Sequence, residues 1–229
     1  MFRTATGSEP RGGVPDRNFA VESYRQLAAS YDATCGRIER PRRAAIDLLG
    51  LRPGDAVLDV ACGSGKSLPH LAHRVGPQGR VVGIDQSPEM IALARGVIRD
   101  HALTNVDLVE GPLEEAALPQ AFDAFLFCYT HDVLRTPAAL ANLFGAARPG
   151  ARVVSLGVKL YPVWLAPLNF WVRRRVWGYL STVDGLERPW EPLAEYAPDV
   201  KVVRTYFAGS GYIACGQVRD LMSAPPAAP

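Results

Sequence analysis

Two carboxylates and two glycines carry the sharpest chemical signal in the sequence. The run Asp59-Val60-Ala61-Cys62-Gly63-Ser64-Gly65 stands between a short apolar run and a stretch of helical character. Glycines at 63 and 65 let the main chain turn tightly and let a ligand approach with no Cβ in the way. A helix beginning after them offers unpaired N–H groups to a polar ligand. Asp59 falls near the carboxyl end of the first predicted strand, where open α/β sheets bind their ligands. Asp85, 20 residues beyond Gly65, ends the second. A carboxylate there can accept both hydroxyls of a ribose.

A second group of reactive types closes the fourth predicted strand, Cys128-Tyr129-Thr130-His131-Asp132. His131 is the best candidate base, since its unperturbed pKa lies near neutrality. Asp132 is the next candidate, or an N-cap for the following helix. A structural hydrogen bond is the competing reading of His131. Tyr129 is placed to pack on a bound ligand or on an acceptor. Further on, Trp164, Trp171 and Trp177 flank the basic triplet Arg173 to Arg175. This stretch reads as a lid with aromatic walls, Trp164 and Trp171 contacting substrate. An interfacial helix touching anionic lipid and plain core packing are the alternatives. Trp190 and Tyr196 are expected to complete the same cap. His70, His73 and His101 have no matching acid or cysteine cluster, so no metal is expected.

These groups need a scaffold, and the strand–helix rhythm supplies it. Predicted strands cover 56–61, 80–85, 105–111, 121–130 and 148–158, with helices over 66–75, 87–101 and 137–147 between them. Ser87, Pro88 and Glu89 form a helix N-terminal signature. Such alternation predicts an α/β fold: a Rossmann-like doubly wound sheet, mostly parallel, with helices on both faces. Two β-like runs, 200–209 and 211–220, surround Gly209-Ser210-Gly211 and predict a C-terminal antiparallel hairpin. Residues 1–18 are expected to be a mobile tail and 19–229 a single domain, with 160–196 inserted as an acceptor-side cap.

Composition agrees. A chain of 229 residues with 48% hydrophobic content buries one substantial core. A net charge of +2 points to no nucleic-acid partner. Four widely spaced cysteines read as reduced. No signal peptide and no membrane span are evident, so the expected compartment is the cytoplasm.

Three ligand classes compete for the glycine loop, besides a turn with no ligand. Gly65-Lys66-Ser67 resembles the end of a P-loop, but Val60 stands where that motif has its first glycine. A dinucleotide site lacks its third glycine. The third reading rests on VLDVACGSG followed by VVGIDQSPEMIALAR. These segments resemble the first two motifs of class I methyltransferases that use S-adenosylmethionine, in particular the small-molecule, ubiquinone/menaquinone-biosynthesis type. Ala61 replaces the first glycine of the family pattern.

The resemblance implies S-adenosyl-L-methionine as cofactor, S-adenosyl-L-homocysteine as product and a small-molecule acceptor methylated on O, N or C. It implies Asp59 on the cofactor ammonium, Ala61, Gly63 and Gly65 along the loop, and Asp85 on the ribose. Gln86 and Met90 pack near the adenine, whose edge is read by main chain near Leu113, because Pro112 stands where an acid is usual. Cys128 lies beside the cofactor, and Tyr24 and Tyr31 close over it. No stable membrane insertion is expected, and a homodimer is compatible with the sequence. The same fold could also serve non-methylating chemistry on that cofactor, or bind it without turnover.

Overall fold

The computed structural model describes residues 15, 16, 22, 38–119, 121–176 and 179–219. Seven strands form one sheet: β1 (Ala56–Val60), β2 (Arg80–Asp85), β3 (Val106–Glu110), β4 (Phe122–Cys128), β5 (Ala147–Val158), β6 (Lys201–Tyr206) and β7 (Gly211–Gln217). Their order is β3-β2-β1-β4-β5-β7-β6. The first five run parallel. β7 enters antiparallel between β5 and β6. The expected α/β architecture with a C-terminal hairpin is therefore present. Its turn is longer than Gly-Ser-Gly alone, taking in a 3-10 turn at Phe207–Gly209.

Strand alternation sorts side chains between two cores. Leu58, Val60, Val82, Ile84, Phe125 and Phe127 face one side, where they meet α4 (His131–Leu134) and α5 (Pro137–Gly145). Val57, Val81, Ala124 and Leu126 face the other, covered by α1 (Glu39–Leu48), α2 (Leu68–Val75) and α3 (Pro88–Asp100). β4 is apolar on both faces because helices cover both. At the start of α3 the Ser87 hydroxyl accepts the Met90 N–H at 3.3 Å, and Pro88 occupies the first turn.

The segment after β5 departs from the single cap expected over 160–196. A 3-10 turn (Val163–Leu168) leads into α6 (Asn169–Val176), whose Val172 and Val176 pack on Leu160, Leu180 and Leu186 as a small separate core. Residues 190–197 instead join the main core. Tyr196 stacks on Phe144 at 4.4 Å, and Trp190 lies 4.9 Å from Tyr212 between ring centroids. Trp190 and Tyr196 therefore cover the sheet and do not complete a lid. Their mixed aromatic–polar composition gave no period by which to separate them from the preceding stretch. Of the expected tail, Pro15 and Asp16 are described, and the Asp16 N–H donates to Ser181 Oγ at 3.0 Å. Tyr24, Tyr31 and Trp177 lie outside the described residues.

Candidate active site

Period-two alternation puts Asp59 on the same face as Val57, and Asp85 on the same face as Val81 and Gly83. Both acids thus point toward the side covered by α1, α2 and α3, at the carboxyl ends of paired neighbouring strands. The loop joining β1 to α2 closes over them. Its first step extends the ladder, with the Cys62 N–H donating to the Ile84 carbonyl at 2.9 Å. Asp85 clamps the next step: Oδ2 accepts the Gly63 N–H at 2.8 Å and Oδ1 accepts the Ser87 N–H at 2.9 Å. One carboxylate therefore fixes both the glycine loop and the entry to α3. The Gln86 N–H adds a third backbone donor, and the carboxylate still keeps lone-pair capacity for a ligand.

The loop glycines divide their labour. A Cβ on Gly63 would meet nothing within 4 Å, so this position is open toward the recess. A Cβ on Gly65 would come within 2.9 Å of Leu68 and 3.1 Å of Ala94. Gly65 is thus required for packing of the loop on α2 and α3. Ala61 sits at φ +49, in the left-handed region where a Cβ is costly. This explains why the family pattern has glycine there, and it marks stored strain at the site.

Asp59 and Asp132 each keep one buried carboxylate oxygen without a partner among the described residues, and of the two only Asp59 lines the recess beside the glycine loop. Asp59 is 1% exposed, and its Oδ2 has no hydrogen-bond partner among the described residues. Burial pushes its pKa up to about 7; Asp85 adds to the rise and the Arg42 guanidinium opposes it. A buried acceptor left unpaired is costly unless a ligand supplies the donor. Arg42, from α1, is itself 5% exposed and is held by Glu39 at 2.7 Å. Together they place an acid and a base on one wall of a recess that also includes Gly63, Lys66, Cys128 and Tyr129. That pair matches the ammonium and carboxylate of an amino acid. Sequence reasoning missed Arg42, because an arginine on a surface-type helix carries no signal until tertiary packing turns it inward. Lys66 lies in the loop before α2 and on the recess wall, not on an exposed helix face. The Cys62 thiol is pushed well up by burial and the nearby Asp59 and Asp85, so it stays protonated.

Other expected residues fall at varied distances from this recess. Cys128 and Tyr129 line it, and Tyr129 takes φ +61 in doing so. Gln86 is half-buried just past Asp85. Met90 is 1% exposed within the core. Leu113 is buried against α5, and its carbonyl already accepts the Asn142 amide at 2.8 Å. Trp164 and Trp171 face solvent and lie outside the recess lining.

His131 is also corrected. Its Nε2–H donates to the Asp184 carbonyl at 3.0 Å, which leaves Nδ1 as the lone pair, sealed from solvent with no partner. Burial lowers its pKa to about 4. His131 is not among the residues lining the recess, and its Nε2–H ties the end of β4 to the segment after α6. Asp132 does the same: Oδ2 accepts the Ser181 N–H at 3.0 Å, and burial raises its pKa. Thr130, not Asp132, holds the N-cap position of α4. Between about pH 6.5 and 4 the unfolded chain binds a proton at His131 that the native protein does not. Stability present above pH 6.5 is therefore lost as pH falls toward 4, by at most about 3 kcal/mol. In urea unfolding, His131→Gln is expected to lose less stability than wild type between about pH 7.5 and 4.5. Equal losses would remove the assignment.

Acids near the carboxyl ends of β1 and β2 thus bracket a glycine loop at the place where open α/β sheets bind their ligands. A family model described as a methyltransferase domain matches residues 51–162. The ubiquinone/menaquinone biosynthesis C-methyltransferase UbiE of Serratia proteamaculans is 30% identical over 73% of this chain and 67% of its own length. Demethylmenaquinone methyltransferase of Lactococcus lactis is 29% identical over 73% of this chain and 68% of its own. Coverage of the curated relatives ranges from 39 to 68% of their length. An S-adenosylmethionine-dependent methyltransferase from Aquifex aeolicus superposes with TM-score 0.58 at 21% identity, over 86% of this chain and 96% of that one, a likeness of fold.

The chain belongs to the UbiE-type family of S-adenosylmethionine-dependent methyltransferases. It is a methyltransferase, and a solved structure sharing its fold is described as S-adenosylmethionine-dependent. The residues present fit that cofactor: an unpaired buried carboxylate oxygen at Asp59, a cation at Arg42 and an open main chain at Gly63.

Proposed function

We propose that this enzyme methylates a ring carbon of a small quinol-like acceptor, with the cofactor held by Asp59, Arg42, Gly63 and Asp85. The unpartnered oxygen of Asp59 beside Arg42 is the observation that carries the site reading. The acceptor class rests on the printed names of the relatives, demethylmenaquinone and ubiquinone/menaquinone methyltransferases.

When bound, S-adenosylmethionine supplies an electrophilic methyl group. The protein's part is alignment and exclusion of water. Asp59 pairs with the ammonium and Arg42 with the carboxylate of the cofactor's amino-acid end, a charge-assisted arrangement at both termini. Asp85 accepts from the ribose hydroxyls while still clamping Gly63. Gln86 and the main chain around Leu113 border the adenine, and Cys128 lies beside the loop. Tyr129, on the recess wall, orients the acceptor. His131 and Asp132 act as positioning residues that hold the β4 end against the following segment. The domain reading is a single unit over 19–229. The proposed enzyme works in the cytoplasm on a small molecule rather than nucleic acid, and a homodimer is compatible with this reading.

Release of S-adenosylhomocysteine, measured across soluble quinols, phenols and amines, tests the acceptor. Turnover with quinols, and product carrying a new carbon–methyl bond, is expected. Turnover only with amines or phenols would overturn the quinol assignment and leave the methyltransferase itself standing.

A further inference from the structure

Among the described residues, five of the eight exposed large apolar side chains gather on the 3-10 turn and α6, the others being Leu48, Leu93 and Val203. Val163 is 91% exposed, Trp164 78%, Phe170 63% and Trp171 67%, with Leu168 also open. Scattered apolar residues on a surface need no explanation, but a contiguous set of this size does. The set is firmly mounted. Val172 and Val176 face inward on Leu160, Leu180 and Leu186, so the opposite side of α6 must face out. Asn169 braces the turn with both ends of its amide, accepting the Tyr161 N–H at 2.7 Å and donating to the Tyr161 carbonyl at 3.1 Å. The aromatic face is therefore held open by packing behind it.

Its charge is one-sided. From Lys159 to Val183 the sequence has four cations, Lys159, Arg173, Arg174 and Arg175, and no carboxylate. Arg173 and Arg174 are exposed beside Trp171. Tryptophan and phenylalanine next to arginine is the composition that settles at a lipid headgroup boundary, where the rings bury shallowly and the guanidinium groups meet phosphate. A single weak signal gives only marginal binding, whereas aromatic insertion and a basic cluster together suffice.

We propose that this face docks the protein on an anionic membrane surface. The contact is peripheral: among the described residues no helix is long and apolar enough to cross a bilayer. The patch also stands on the same rim as the recess, since it continues from the carboxyl end of β5, where Leu156 pairs with Cys128. Docking there brings the methyl-transfer site to the lipid boundary. Membrane docking stands or falls independently of whether the acceptor is a quinol.

Flotation of the full chain with vesicles tests it, using phosphatidylcholine alone and phosphatidylcholine with phosphatidylglycerol. Binding is expected to the anionic vesicles and not to the neutral ones. The double variant Trp164→Ser/Trp171→Ser should weaken partition by about tenfold or more. Arg173→Gln/Arg174→Gln should weaken it by about tenfold, as should about 0.5 M salt. An unchanged melting temperature shows each variant to be folded. Failure of the wild-type chain to float with anionic vesicles overturns the proposal, as does flotation indifferent to the tryptophans. Self-association in the absence of lipid that the tryptophan variant abolishes also overturns it, because the occupant is then a second copy of the chain.

Discussion

Asp59→Asn is expected to weaken S-adenosylhomocysteine binding by about 3 kcal/mol or more, over a hundredfold, while making the ligand-free protein more stable at pH 8. The two effects have one cause. Asp59 is buried and has an oxygen with no partner among the described residues, so the ionised form is unfavourable until a cation arrives. Its native pKa of about 7 lies above the ordinary 3.8. Below about pH 4 both native and unfolded chains are protonated there and the group costs nothing. As pH rises from about 4 to 7 the unfolded chain ionises there while the native protein holds its proton, so stability falls, and the loss is complete above 7. Asparagine removes that cost, so the variant should gain about 1 kcal/mol or more at pH 8 and little at pH 4. Affinity follows the same group: wild-type binding of the ammonium should strengthen about tenfold per pH unit up to 7 and level off above it. Calorimetric titration and urea unfolding across about pH 5 to 9 check both halves. A variant that binds normally, or one that is destabilised at pH 8, would remove Asp59 from the cofactor site.

Asp85→Ala should fail differently. It is expected to cost about 1–3 kcal/mol of cofactor affinity from lost ribose contacts. It should also destabilise the ligand-free protein by about 1–3 kcal/mol, because the Gly63 and Ser87 N–H groups lose their acceptor; burial raises the Asp85 pKa, so this loss shrinks as pH rises. Opposite signs of stability change for two neighbouring acids separate a ligand-waiting group from a loop clamp. If Asp85→Ala left the melting temperature unchanged, the clamp would not matter to the loop. If it left affinity unchanged, the residue would not belong to the site.

Much of this was legible in the residues. The apolar strands, the Ser87–Pro88–Glu89 helix start and the acid–glycine–acid spacing are local patterns, and local patterns survive folding when tertiary contacts agree with them. Asp59 and Asp85 were findable because strand ends at a glycine loop are where such sheets bind ligands. What was not legible depended on three-dimensional packing. Arg42 became part of the recess only because α1 turns it toward Asp59. Gly65 had the same sequence signal as Gly63, yet its neighbours Leu68 and Ala94 give it a packing role. His131 looked like a base by residue type, but the Asp184 carbonyl that occupies it is 53 residues away in the chain. The aromatic stretch after β5 divided into an outward face and a sheet-covering part, a division set by which side meets Leu160 and which meets Phe144.

The most direct measurement is a crystal structure with S-adenosylhomocysteine bound. It should show the ammonium within hydrogen-bonding distance of Asp59, the carboxylate toward Arg42 and the ribose hydroxyls on Asp85, with the chain of the ligand passing over Gly63. Density for the nucleoside elsewhere on the protein, or with Asp59 still unpaired, would contradict the account.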